Sequence, residues 1–247
     1  MNQFMKTKLG KKDAIYLSVI AVLVIAVIVV GLALGIEPKE EEENFFKVYY
    51  DNKCESYGIQ NYNLSKGQII FIGDSITDSC PLDDYYLDLP LACYNRGIGG
   101  DTTAGVLDRL QVSVFDLMPS KVVLMIGTND VNGGKSEDYI VNNYAKIVKE
   151  IKEGVPNVEL YCMSIIPQNK DMESYSDVDT TANNIKIQSI NGKIKGLSEE
   201  QGATYIDLYP ALLGKEGNLD KAYSDDGLHL NAEGFAVWSG ILKPYLS

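Results

Sequence analysis

The pattern of apolar and polar positions divides the chain into one long uncharged run followed by alternating short and long periodic segments. The first run, Ala14 to Gly35, holds 22 residues without a charge. As a helix it is about 33 Å long, enough to cross a hydrocarbon core. Beyond it, short apolar runs bounded by turn residues predict strands at Gln68–Gly73, Leu91–Arg96, Lys121–Gly127, Asn157–Ile166 and Ala203–Leu208. Helix-like stretches fall between and after them, at Thr102–Gln111, Ser136–Glu153, Thr180–Gln201 and Asn231–Leu246. The stretch from Ser136 carries Tyr139, Ile140, Tyr144, Ile147, Val148 and Ile151 on one helical stripe, with Ser136 placed to cap it. Asp101 or Thr102 is placed to cap the stretch that opens after Gly100. Strands alternating with helices through short links predict a parallel five-stranded α/β sheet with helices on both faces. Phe45 to Tyr57 has mixed polarity and reads as a helix packing on this domain.

Charge sorts the N-terminal segment. Lys6, Lys8, Lys11 and Lys12 precede the uncharged run, and Glu37 to Glu43 follows it, interrupted by Pro38 and Lys39. The positive-inside rule then keeps residues 1–13 cytoplasmic, makes 14–35 a transmembrane signal-anchor helix and exports the rest. The predicted organisation is a basic N-terminus over 1–13, the anchor over 14–35, an acidic tether over 36–44 and one folded domain over 45–247. A cleaved signal peptide is the alternative, but the run exceeds a normal h-region and lacks a clear A-x-A site. The expected location is the cell membrane, single-pass, with the folded domain extracytoplasmic.

The whole chain carries a net charge of −12, and the exported part is more acidic still because four of the lysines precede the anchor. Such a surface disfavours nucleic acid and anionic lipid headgroups as partners. The four cysteines, Cys54, Cys80, Cys93 and Cys162, show neither a CxxC pair nor metal-ligand spacing. Export would permit disulfides, but Cys162 lies in a strand pattern and reads as a core thiol, which leaves Cys80 with Cys93 as the one pairing to test. A single histidine without a cysteine cluster argues against zinc. No metal and no organic cofactor is expected.

Candidate chemistry gathers just past the predicted strand ends, where an open parallel sheet places its ligands. The first strand ends in Gly73-Asp74-Ser75, the second in Asn95 to Asp101, and the third in Gly127-Thr128-Asn129-Asp130. Ser75 reads either as a nucleophile or as the cap of the next helix. A nucleophile needs a base, an orienting acid and oxyanion donors. The one histidine, His229, follows Asp226 by three residues in a glycine-containing turn before the last helix. That spacing lets the carboxylate fold back on the imidazole Nδ1–H. Donors for an oxyanion are available at the Ser75 N–H, at Gly100, whose lack of a side chain allows close approach, and at the Asn129 amide. Each has a bland counterpart: a surface histidine, a plain glycine turn, an Asx turn or helix cap. Tyr85 and Tyr86 read equally as pocket mouth or core, and the polar segment 168–179 as a specificity loop.

The blocks GDS at Gly73–Ser75, NRGIGGDT at Asn95–Thr102, GTND at Gly127–Asp130 and DGLH at Asp226–His229 resemble, in order, those of the SGNH, or GDSL-type, hydrolases. The bacterial lipases and acylhydrolases resembling platelet-activating-factor acetylhydrolase are the nearest flavour. The resemblance covers about residues 45–247. It implies a flavodoxin-like three-layer α/β/α sandwich and a serine esterase with Ser75 as nucleophile, His229 as base and Asp226 as its partner. It also implies Ser75, Gly100 and Asn129 as oxyanion donors, and a small-molecule ester, lipid or acylated sugar, as substrate. An acyltransferase of the same fold and a non-catalytic anion- or sugar-binding α/β module are the rival expectations; oligomeric state is not readable.

Overall fold

The computed structural model describes residues 40–169, 171–172 and 180–247, with side chains from Phe45 onward. The expected anchor at 14–35 and most of the specificity loop at 168–179 lie outside these residues. Among the described residues no helix is long and apolar enough to cross a membrane. The first helix, α1, spans Glu40–Asn61, so the second half of the segment expected as tether is helical.

The sheet consists of β1 (Ile69–Gly73), β2 (Cys93–Gly97), β3 (Lys121–Met125), β4 (Glu159–Met163) and β5 (Thr204–Ile206). All pairings are parallel and the order is β2-β1-β3-β4-β5, the flavodoxin-like arrangement. Between the strands run α2 (Ser75–Asp78), α3 (Leu82–Tyr86), α4 (Thr103–Asp108), α5 (Leu110–Ser113), α6 (Thr128–Asn132), α7 (Glu137–Gly154) and α8 (Thr180–Glu200), and α9 (Ala232–Leu246) ends the chain.

Period-two alternation assigns each strand residue to a face. Ile70, Ile72, Val122, Leu124, Leu160 and Cys162 point to one side, where they meet Val106 and Leu110 of α4 and α5, Tyr144 and Ile147 of α7, and Ile187 and Ile190 of α8. Ile69, Phe71, Val123, Met125, Tyr161 and Met163 point to the other, against Ile76 of α2, Leu82 and Tyr86 of α3, and Phe235, Trp238 and Leu242 of α9. The result is a three-layer sandwich whose sheet is apolar on both faces, as a parallel sheet between helices requires. Of the six stripe residues on α7, five are fully buried and Tyr139 is exposed. The cap at Ser136 is present, its hydroxyl accepting from the Tyr139 N–H at 3.2 Å. Tyr86 belongs to the core, packed on Phe71, while Tyr85 donates to the Ala232 carbonyl. All four cysteines are free thiols, and Cys162 is fully buried.

This topology fixes where a site can form. After β1 the chain turns to one side for β2, then crosses to the other for β3, leaving a crevice outside the carboxyl ends of β1 and β3. The GDS turn and the GTND turn open into it.

Candidate active site

Ser75 is the first residue of α2, not its cap. The cap is Asp74, whose Oδ1 accepts from the Ile76 N–H at 3.0 Å. Because the first N–H groups of a helix lack intrahelical partners, the backbone of Ser75 presents a donor at the strand tip. Gly73 is required there by crowding: a Cβ would lie 2.2 Å from the Met125 carbonyl and 2.3 Å from Thr77 Oγ1.

The serine hydroxyl meets the imidazole directly, with Ser75 Oγ 2.8 Å from His229 Nε2. On the far side of the ring, His229 Nδ1 is 2.6 Å from Asp226 Oδ2. The other carboxylate oxygen of Asp226 accepts from the Leu228 and His229 N–H groups, each at 2.8 Å, and from Ser224 Oγ at 3.3 Å. The three-residue spacing folds the Asp226 carboxylate under its own turn, as the sequence suggested. Burial pushes the Asp226 pKa upward, but the hydrogen bonds from the imidazole and the two backbone N–H groups outweigh it and hold the pKa down to about 2. For His229 burial opposes the charged form, yet the Asp226 hydrogen bond and charge, with the Asp74 charge, raise its pKa above the ordinary value. Asp74 is itself buried, with Oδ2 unpartnered, and burial lifts its pKa to about 7.

The second block forms a tight turn beside the serine. Asp101 N–H donates to the Ile98 carbonyl at 3.1 Å, and Gly100 takes φ 79°, a left-handed conformation natural to glycine. The position a Cβ would take on Gly99 is 4.0 Å from Ser75 Cβ, which sets this turn against the serine. Asn129 lies in the first turn of α6, whose cap is Gly127. Its side-chain Nδ2 donates to the Asp101 carbonyl at 2.8 Å. That bond orients the amide toward the Gly100–Asp101 turn and rules out the capping role. The cap of α4 is Thr102, whose hydroxyl accepts from the Gly105 N–H.

Sequence reasoning missed the groups that hold this turn in place. Arg109 is almost fully buried and its Nε lies 2.7 Å from Asp101 Oδ2. The same guanidinium donates to the carbonyls of Arg96 at 2.7 Å and Gly73 at 3.0 Å, and to Ser113 Oγ at 2.9 Å. One side chain therefore ties the ends of β1 and β2 to the glycine turn. Asp130 does the same for β3, accepting from the N–H and hydroxyl of Thr103 at 2.9 and 2.8 Å. Asp130 was visible within its motif, whereas Arg109 gave no signal, since an arginine on a polar helix face normally reads as solvated.

The sequence matches the GDSL-like lipase/acylhydrolase family over residues 71–237, more than half of the chain. Platelet-activating factor acetylhydrolase IB subunit alpha1 of Pongo abelii is 27% identical over 173 residues, covering 68% of this chain and 71% of the relative. Among solved structures, a Streptococcus pneumonia protein whose description names platelet activating factor superposes with TM-score 0.77 at 29% identity, covering 83% of this chain and 96% of that one. A GDSL-like lipase from Bacteroides thetaiotaomicron superposes with TM-score 0.69 at 25% identity, covering 78% and 96%. With a serine hydrogen-bonded through the chain's one histidine to a carboxylate at the matched sheet end, the chain belongs to the GDSL-like lipase/acylhydrolase family of serine ester hydrolases.

Proposed function

We propose that this chain is a membrane-anchored, extracytoplasmic esterase that hydrolyses lipid or acylated-sugar esters through an acyl-enzyme on Ser75. The observation that carries the reading is the continuous relay from Ser75 Oγ through the imidazole to Asp226. His229, neutral at Nε2, takes the Ser75 proton as the hydroxyl oxygen attacks the ester carbonyl. The imidazolium so formed is stabilised by Asp226, which stays ionised down to about pH 2. Negative charge develops on the former carbonyl oxygen, for which the Ser75 N–H, the Gly100 N–H and the second Nδ2 hydrogen of Asn129 are the donors in this reading. His229 then protonates the departing alkoxide, and water repeats the sequence on the acyl-enzyme. No step calls for a metal or an organic cofactor.

The relay favours an enzyme over an anion- or sugar-binding module, for which a histidine held between serine and carboxylate has no use. Anchoring and export rest on the uncharged run at 14–35 and the four lysines before it. Incubating the full-length chain with a chromogenic acetyl ester, with and without a sugar acceptor, tests the reaction class. Release of free acetate at the same rate in both conditions is expected. Acetate transferred to the acceptor in preference to water would make the chain a transferase, and absence of turnover on any ester would remove the esterase reading.

A further inference from the structure

Helix α1 precedes the matched family region, which begins at residue 71. It nonetheless packs on the two elements that carry the active-site serine and the glycine turn. Residues 46, 49, 50, 53 and 57 recur at helical spacing and share one face. Tyr49 Oη donates to Asp78 Oδ2 at 2.9 Å, and Lys53 Nζ reaches Asp78 Oδ1 at 2.6 Å, so this face holds the end of α2. Tyr57 donates to the Gly97 carbonyl, and Tyr50 to the Gly105 carbonyl at 2.7 Å, so it also spans the turn between β2 and α4.

The N-terminal part of this face covers the glycines themselves. A Cβ on Gly100 would lie 3.5 and 3.7 Å from two ring carbons of Phe46. A Cβ on Gly99 would lie 3.5 Å from Tyr49 Cε1 and 3.9 Å from its hydroxyl, with Ser75 Cβ at 4.0 Å on the other side. Neither residue is fully buried.

We propose that Phe46 and Tyr49 form a wall of the substrate site and limit the size of the acyl group it accepts. The inference rests on the esterase reading above. An ester carbonyl bound at the Gly100 N–H places its acyl substituent next to these rings. An acetyl group clears them, and a longer chain meets the Phe46 ring. The Asp78 hydrogen bond fixes the Tyr49 ring, so the wall cannot swing aside without breaking a contact to the helix that bears Ser75.

The test compares the full-length wild type with Phe46→Ala, Phe46→Trp and Tyr49→Ala on 4-nitrophenyl acetate, butyrate and octanoate, with thermal midpoints measured alongside. Phe46→Ala is expected to raise the octanoate-to-acetate ratio of kcat/KM by about tenfold, and Phe46→Trp, which sets a larger ring beside Gly100, to lower it. Ratios within about twofold of wild type in all three variants would overturn the proposal, as would a uniform fall on every ester, which would leave α1 only a support for the turn. Failure of the wild type on all three esters would instead sink the esterase reading beneath it.

Discussion

At the scale of the residue, the base and the oxyanion donor each carry a test. On the proposed mechanism His229 acts as a base only when neutral, and Asp226 and Asp74 raise its pKa against the effect of burial. Activity is therefore expected to rise with pH through one ionisation, shifted upward from that of an ordinary imidazole. Asp226→Asn removes the principal stabiliser of the imidazolium, so the acid limb of kcat/KM should move to lower pH while the plateau falls. A limb that stays in place would mean that another group titrates. Asn129 donates to the Asp101 carbonyl and does not cap its helix, so its second amide hydrogen is available to an oxyanion. Asn129→Ala should lower kcat by roughly 10²–10³ with KM nearly unchanged. Asn129→Asp should be at least as damaging, because it sets a carboxylate against both the Asp101 carbonyl and the oxyanion. Steady-state kinetics on a chromogenic acetyl ester reads both variants.

At the scale of the element, the glycine turn keeps its shape through buried charge. Arg109 and Asp101 side chains are 1% and 2% exposed, and removing the guanidinium strands a carboxylate in the interior. Arg109→Met should cost about 3–5 kcal/mol of stability, readable as a lowered denaturation midpoint, because breaking a buried pair leaves the partner uncompensated. A change below about 1 kcal/mol would show that water or another group satisfies Asp101. The elements themselves were legible: five apolar runs became five parallel strands, and the stripe from Ile140 to Ile151 became the buried face of α7. The three strand-end motifs were legible for the same reason, since glycine and small polar residues stand out after an apolar run, and the fourth because it holds the chain's one histidine. Their cross-links were not. Arg109 sits eight residues from Asp101, and nothing local marks it as buried. The Tyr86 ring, left between mouth and core, was decided by packing on Phe71, a contact that periodicity does not reveal. The contacts of α1 with the glycine turn join residues some fifty positions apart and have no local signature.

At the scale of the whole molecule, the order of strands explains why motifs scattered from Gly73 to His229 meet. Crossing from β2 over β1 to β3 places the GDS and GTND ends side by side, and the turn before α9 brings His229 to the same end of the sheet. The proposed N-terminal anchor rests on the uncharged run at 14–35 and the four lysines before it. With residues 1–13 inside and the domain outside, protease added to intact cells should release an active fragment that begins near the acidic segment after Gly35. A mature N-terminus near Gly35 before any protease is added would indicate a cleaved signal peptide. Activity protected from external protease until lysis would reverse the orientation.

The central claim is that the Ser75 hydroxyl attacks the ester. Its most direct test is kcat/KM of Ser75→Ala on a chromogenic acetyl ester, measured beside the thermal midpoint of both proteins. Loss of a single hydroxyl at a helix start leaves the fold and the Asp74 cap in place, so the midpoint should hold while turnover drops by about 10⁴-fold or more. A folded Ser75→Ala protein that keeps activity within about tenfold of wild type would contradict the account, since the relay through His229 would then have no nucleophile to serve.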